Sequence, residues 1–558
     1  MLRLSRTEWL LLILFLTLLT FPLQYICRFL DMSTLTSWRW VFGEKGPAGV
    51  FLLLSMAVLL ALPLSNSNLP ERYPAALLFI LSVLSVMPFL SSPEYLLDTA
   101  RYFLQAKYLK IYGITAFLRG WGHEVTSWTD LPLVPLIYGI LFKMFGETKE
   151  VIAFFNLLLF GFIPVITYST GRLLWDRPTG FLAGMLMLAS PYLLTQASLM
   201  LVDVHTIFFL LLSVWLFLCA LERGGFLWLL ASSLAIILAL LSKYSTWPML
   251  GILGIITLIR LDSRPWTILK RVLVVAILTG MMMGVIFYWK GDVIMQQITL
   301  LRTYQLSGLK KWQEGYAAAI FFQSHPYIIM AVLLGCYRAL IRREKNIFII
   351  AWFAGLAFFL ELKRLRYLLP LLPFFVLTAA YGLQVINHAR VRRYIVYCAV
   401  MWSLVISIWV YRPFLAGLSM SNLKHAGSFL NTLQIDAVEV FCLPQARSVA
   451  NTSVAVPILD LYTNKIIYQE QAWKSVEGFQ RAEKTSMRFT WELAQPAYYK
   501  NRIYADAKLP LVIISDKPVN NIPPQFLNKY PSGRLIGQFA ETSKVFRFQT
   551  FVAVFDSL

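Results

Sequence analysis

The chain has 558 residues, of which 58% are hydrophobic, 15% aromatic and only 14% charged. A soluble domain is about half apolar and about a quarter charged, so the composition excludes a protein folded wholly behind a water-facing surface. The net charge of +21 would point a soluble chain towards nucleic acid, but in a membrane chain basic residues first report orientation, and no nucleic-acid partner is expected. Five scattered cysteines (Cys27, Cys219, Cys336, Cys398, Cys442) without C-x-x-C spacing exclude a disulfide framework and a zinc ribbon.

A hydrocarbon core about 30 Å thick takes roughly 20 helical residues. In chain order the apolar runs predict 13 spans, near 9–30, 48–64, 75–90, 151–171, 179–199, 202–221, 226–242, 246–260, 271–289, 326–341, 346–361, 367–387 and 394–412. Arg3 and Arg6 precede the first run as in a signal peptide, but its length and the lack of a small-residue cleavage site before Arg28 favour a retained helix. Segment 132–146 is short, holds Pro132 and Pro135 and carries Lys143. It is expected to lie as a juxtamembrane or re-entrant helix buried against protein, where an incomplete span is tolerated.

With that assignment and a cytoplasmic N-terminus, 17 basic residues in seven short clusters, from Arg3 and Arg6 to Arg390, Arg392 and Arg393, fall on the cytoplasmic side. Loops 91–150 and 290–325 and everything after residue 413 then lie outside, in a cell (inner or plasma) membrane. The expected fold class is mainly α: a polytopic membrane protein with about 13 transmembrane helices in residues 1–412, then a small extracytoplasmic α/β domain, 413–558. Strand-like runs in that domain are 437–443, 511–516 and 545–555. The roughly 16 Lys and Arg after residue 411 suit contact with membrane lipids or polyanionic glycan, and Asn451-Thr452-Ser453 has the form of a glycosylation sequon.

Loop 91–131 is far more polar than its neighbours. Glu94, Asp98 and Arg101, four and three residues apart, are expected on one helix face, a pattern that a solvated, salt-bridged helix would also show. Asp203 stands between two spans, where it could equally be an N-cap, and His205 follows it. Lys243 lies between two apolar runs, placed either to snorkel or to act. Lys363, Arg364 and Arg366 sit at the outer end of a span, where orientation does not require them. Carboxylates and cations at one membrane face suit transfer from a lipid phosphate. A carboxylate there could deprotonate a hydroxyl or hold a metal, and the cations could neutralise a phosphate leaving group.

Four segments in order carry a family resemblance: LDTARYFLQAKYLKIYG, DLPLVPLIYGILFKMFGE, TYSTGRLLWDRPTGFLAGMLMLASPYLLTQASLMLVDV and KRLRYLLPLLPFFVLTAAYGL. Together they resemble the polytopic GT-C glycosyltransferases, in the branch of protein O-mannosyltransferases and lipid A aminoarabinose transferases. The resemblance implies that Asp98 is the first-loop catalytic Asp and Asp203 the second-loop Asp. It further implies that Arg101, Tyr102, Lys243, Arg364, Arg366 and Tyr367 bind substrate, with Arg366 near the lipid phosphate. The family's acidic pair is here Asp98-Thr99, and Glu94 could supply the second carboxylate from one turn earlier. Thr129-Asp130-Leu131-Pro132 stands where aminoarabinose-type relatives have Glu-Lys before two prolines, which argues against assuming that sugar.

The function expected is inverting transfer of a sugar, hexosyl or pentosyl, from a polyprenyl-phosphate donor to a lipid, glycan or protein acceptor on the extracytoplasmic face. No cofactor is required by this reading. If a divalent metal takes part, Glu94, Asp130 and His205 are its candidate ligands. A polytopic transporter or lipid flippase is the alternative, and a non-catalytic scaffold a third, but transporters place such charges near the midplane between repeats and no repeat is visible.

Overall fold

A computed structural model describes the chain except residues 1–4, 34, 44–45, 68–71, 263, 307–313, 474–478, 481, 483–484, 486, 501–508, 532, 543–544 and 557–558, so Arg3 lies outside the described residues. The first helix, Arg6–Ile26, begins where Ser5 and Glu8 cap each other: the Glu8 N–H donates to Ser5 Oγ at 3.3 Å and the Ser5 N–H to Glu8 Oε2 at 2.6 Å. Among the described residues seven helices are long and apolar enough to cross a membrane, or eight if Tyr316–Gln323 and Pro326–Arg342, bent by 115°, form one span. The protein is therefore a multi-pass membrane protein of mainly α structure.

Other apolar runs form shorter or broken helices. Run 179–199 divides into Arg177–Leu186 and Pro191–Gln196, because Pro191 has no N–H for a continuing ladder. Run 246–260 divides into Thr246–Met249 and Ile252–Arg260. Segment 132–146 forms Leu133–Phe145. Thirteen residues of helix reach only roughly 20 Å, and this one packs along Asp98–Gly120. The stretch expected as loop 290–325 instead begins as helix, since Pro265–Leu300 continues past a break at Lys290. Lys290 Nζ donates to Arg119 O at 2.6 Å and Trp121 O at 3.2 Å, anchoring the end of Asp98–Gly120.

The C-terminal region holds a five-stranded sheet of β1 (Ala437–Cys442), β2 (Ile466–Tyr468), β3 (Leu511–Ser515), β4 (Leu535–Phe539) and β5 (Phe551–Phe555) in the order β2-β1-β3-β5-β4. β1 runs parallel to β2 and β3, while β5 runs antiparallel to β3 and β4. β3 and β5 are buried along their whole length, which explains why they read as continuous apolar runs. β2 and β4 are short or polar and gave no clear signal. The Asn451 side chain is buried and its Nδ2 donates to Trp473 O at 2.6 Å. The sequon reading is thus corrected: this amide is inside the domain.

Glycines let the helices approach closely. A Cβ on Gly382 would meet Ala331 O at 2.0 Å, whereas one on Gly280 would meet nothing within 4 Å. Gly382→Leu is expected to destabilise the helix bundle by about 1 to 3 kcal/mol, read as a lower melting temperature in detergent, with Gly280→Leu leaving it unchanged.

Candidate active site

Three carboxylates and three cations from five chain segments meet in an unbroken chain of ion pairs. Asp130 is held by Arg101, through Nε at 2.6 Å and Nη2 at 2.9 Å. The same Nη2 reaches Asp98 Oδ1 at 3.2 Å. Asp98 Oδ2 accepts from Arg366 Nη1 at 2.6 Å, and Arg366 Nε donates to Asp203 Oδ2 at 2.7 Å. Lys243 Nζ closes the row on Asp203 Oδ1 at 2.9 Å. Arg366 and Asp203 are buried, with 7% and 2% of their side chains exposed, while Asp98 keeps 24%. Asp98 is thus the most exposed of the three carboxylates in the row.

Local structure explains each placement. Asp98 is the first residue of Asp98–Gly120 and Asp203 the first of Asp203–Arg223. Arg366 is the second residue of the short helix Leu365–Leu368, which leads into the Pro-containing turn before Leu372–Leu383. Lys243 ends Phe226–Ser242. Asp130 sits in a tight turn: its N–H donates to Ser127 O at 2.7 Å, and Gln297 Nε2 donates to Ser127 Oγ at 2.7 Å and Asp130 O at 3.1 Å. All these positions are helix ends or connections, where a polar side chain is displayed without interrupting an apolar span.

The two first-loop carboxylates are pushed apart. Burial works against the Asp98 charge, but the guanidiniums of Arg366 and Arg101 outweigh it and hold the carboxyl well below the usual range. For Asp130 burial prevails over Arg101, and the neighbouring Asp98 adds repulsion, so its carboxyl is pushed up to about 6.

Several expectations are corrected. Glu94 does not share a helix face with Asp98 and Arg101, because the helix begins only at Asp98. Glu94 is fully buried and paired with Lys149 instead, so it does not replace the missing member of the acidic pair. Asp130 is the carboxylate that joins Asp98, through Arg101. Asp203 is not an N-cap, since no side chain caps its helix, and Lys243 does not snorkel to water but pairs with it. His205 is buried against Tyr138 and Phe155, 5.2 and 5.9 Å between ring centroids. Among the described residues no three or more His, Cys, Asp or Glu side chains form a group that could hold a metal, so Glu94, Asp130 and His205 do not assemble as one.

The remaining candidates line the row. Tyr102 Oη lies 3.5 Å from Arg101 Nη2. The Tyr367 ring lies 5.5 Å from Lys243 Nζ and 5.7 Å from the Arg364 guanidinium. Sequence reasoning missed Gln105, whose Nε2 donates to Asp130 Oδ2 at 3.2 Å, and Phe489, whose ring lies 4.7 Å from the Arg101 guanidinium. Gln105 lies one helical turn beyond Arg101, a usable signal. Phe489 comes from the C-terminal domain and left none.

Comparison with known proteins agrees with this architecture. Residues 130–289, which include Asp130, Asp203 and Lys243, match the family of dolichyl-phosphate-mannose-protein mannosyltransferases. No curated protein matches the chain by sequence. Among solved structures, ArnT from Cupriavidus metallidurans bound to undecaprenyl phosphate superposes with a TM-score of 0.53 at 11% identity, covering 86% of this chain and 97% of that one. The apo form of the same protein gives 0.51 at 12% identity with the same coverage. Archaeal oligosaccharyltransferase AglB from Archaeoglobus fulgidus, in complex with an inhibitory peptide and a dolichol-phosphate, gives 0.43 at 13% identity over 80% and 70% of the two chains. The chain has the GT-C fold, the fold of a superfamily of membrane glycosyltransferases.

The placement of Asp130 makes its proton observable. A protonated-carboxyl infrared band should be present below about pH 6 and fade as the pH rises through that value, and it should be missing in Asp130→Asn. A band that persists in the variant belongs to another group.

Proposed function

We propose that the chain is an inverting glycosyltransferase that moves a sugar from a polyprenyl-phosphate donor to a hydroxyl of a lipid, glycan or protein acceptor on the extracytoplasmic face. The observation that carries this reading is Arg366, a buried guanidinium bound at once to carboxylates from two different loops, with Lys243 on the far oxygen of the second. A cation so placed at the end of a span is positioned to receive a lipid phosphate. The fold's likeness to ArnT with bound undecaprenyl phosphate supports the same donor class. The basic clusters at the opposite helix ends support the extracytoplasmic side.

The resting pairings suggest the order of events. A carboxylate held far below its usual pKa is a weak base. When the donor phosphate arrives, Arg366 and Lys243 turn to it, Asp98 loses its nearest cation, and its affinity for a proton rises. Asp98 then takes the proton of the acceptor hydroxyl. The acceptor oxygen bonds to the anomeric carbon from the face opposite the phosphate, inverting it, and the phosphate leaves with the electron pair of the broken C–O bond. Arg366 and Lys243 stabilise that phosphate, and Asp203 holds the two cations in place. The Phe489 ring over Arg101 makes the C-terminal domain one wall of the acceptor side.

The donor's tail has a place to lie. An apolar groove of about 600 Å³ runs between Ile252–Arg260 and Ile347–Phe359, lined among others by Ile255, Ile259, Trp352, Gly355 and Phe359. Its two helices adjoin, in sequence, the segments that carry Lys243 and Arg366.

In membranes supplied with a labelled polyprenyl-phosphate sugar, Asp98→Asn should lower transfer by roughly 100-fold to 10,000-fold at equal protein level. Full activity would remove Asp98 from the chemistry, and labelled donor crossing the membrane without covalent change would indicate a transporter. A Cβ on Gly355 meets nothing within 4 Å, so Gly355→Phe should raise KM for a long-chain donor while leaving that for a two-isoprene analogue near the wild-type value.

A further inference from the structure

Four residues before Asp98 and three before Asp203, the two loops are joined inside the protein. Glu94 and Lys149 form an ion pair with 0% and 3% of their side chains exposed. Glu94 Oε1 also accepts from the Met200 N–H at 2.9 Å, and Glu94 Oε2 from Thr99 Oγ1 at 2.8 Å. Lys149 Nζ donates in addition to Ser198 O at 2.5 Å. Next to this pair, Gln196 Nε2 donates to Tyr95 Oη at 2.6 Å and Tyr95 Oη to Thr195 O at 3.3 Å. The Glu94 N–H itself donates to Tyr462 Oη of the C-terminal domain at 2.7 Å. Segment Glu94–Tyr95 is therefore tied to segment Thr195–Met200 through side chains and backbone together.

We propose that the Lys149–Glu94 pair is a positioning device that sets the distance between Asp98 and Asp203, so that both reach the single guanidinium of Arg366. The inference rests on the transferase reading above. Its physical basis is lever length: three or four residues span at most roughly 10 to 14 Å, and the helix starts at Asp98 and Asp203 remove most of the slack. Neither Glu94 nor Lys149 is among the groups assigned to the reacting atoms. A buried pair of this kind adds little net stability compared with an apolar pair, while losing one partner leaves a costly unpaired charge. Its value lies in specifying one arrangement of the two loops. Lys149 is the first residue of Lys149–Leu174, so the brace is fixed to a membrane-spanning helix and not to another loop.

The test uses the full-length protein in lipid nanodiscs with a polyprenyl-phosphate sugar as probe. Two variants are compared: Glu94→Gln, which leaves Lys149 unpaired, and the double variant Glu94→Gln with Lys149→Met, which buries no charge and serves if the single one fails to fold. In whichever folds, kcat per folded molecule should fall about 30-fold or more while donor KM stays within about threefold. The acid limb of the kcat profile should also move to higher pH, because Arg366 holds Asp98 less firmly. A melting temperature that drops while kcat stays within about threefold of wild type would overturn the proposal and reduce the pair to a structural role. Asp98→Asn separates the two readings: if that variant is inactive while the brace variants are normal, the transferase reading stands and the brace fails. If Asp98→Asn is active, the transferase reading itself fails.

Discussion

A guanidinium buried among apolar helices must be matched by negative charge, because moving an isolated ion out of water costs several kcal/mol even after relaxation. Arg366 meets that constraint by drawing in two carboxylates, Asp98 and Asp203, from separate loops. Each of those carries a second cation, Arg101 or Lys243, and Arg101 in turn takes Asp130. The row alternates in sign and sums to zero. Much of the fold around it serves to bring its five segments to one place: the break at Ser190–Pro191, the turn before Asp130 anchored by Gln297, and the helix starts at Asp98 and Asp203.

The C-terminal domain belongs to this assembly and is not an appendage. Lys107, two and a half turns after Asp98 on the same helix, pairs with Asp460 at 2.6 Å and Glu147 at 2.8 Å, and Tyr499 Oη donates to Asp460 at 2.6 Å. Burial works against the Lys107 charge, but Asp460 and Glu147 outweigh it and raise its proton affinity. Tyr462 receives the Glu94 N–H, Lys424 reaches Ser91 O and Phe489 covers Arg101. One segment, 91–107, thus takes contacts from the sheet domain along its whole length.

How much of this was legible in the sequence follows from the physics of each signal. Apolar runs are visible because the bilayer demands them, so helices stand at or near each predicted run. The break at 290 is set by tertiary contacts such as the Lys290 anchor and leaves no hydropathy trace. Lys243 and Arg366 were visible because a charge next to an apolar run is costly and orientation did not demand them, whereas Asp98 and Asp203 stood out only through the ordered family segments. Glu94 was placed on the wrong surface because spacing alone cannot say where a helix begins. Lys149 was overlooked for a related reason: at the start of a span it looks like an ordinary flanking charge, and only the fold reveals its partner 55 residues away.

A neutral site bears on base strength in the proposed reaction. With Arg366 and Arg101 both on its carboxylate, Asp98 is a weak base while no donor is bound. A phosphate changes the sum: it competes for Arg366 and Lys243, and Asp98, which loses Arg366, gains basicity in the same step. At an effective dielectric constant near 20, a unit charge moving away from 4 Å changes the interaction by about 4 kcal/mol before compensation, ample to shift a carboxylate by a pKa unit or more. Base strength is thereby coupled to occupancy without any moving domain. The coupling depends on Asp98 and Asp203 sharing one guanidinium, and hence on whatever fixes the spacing of their two loops.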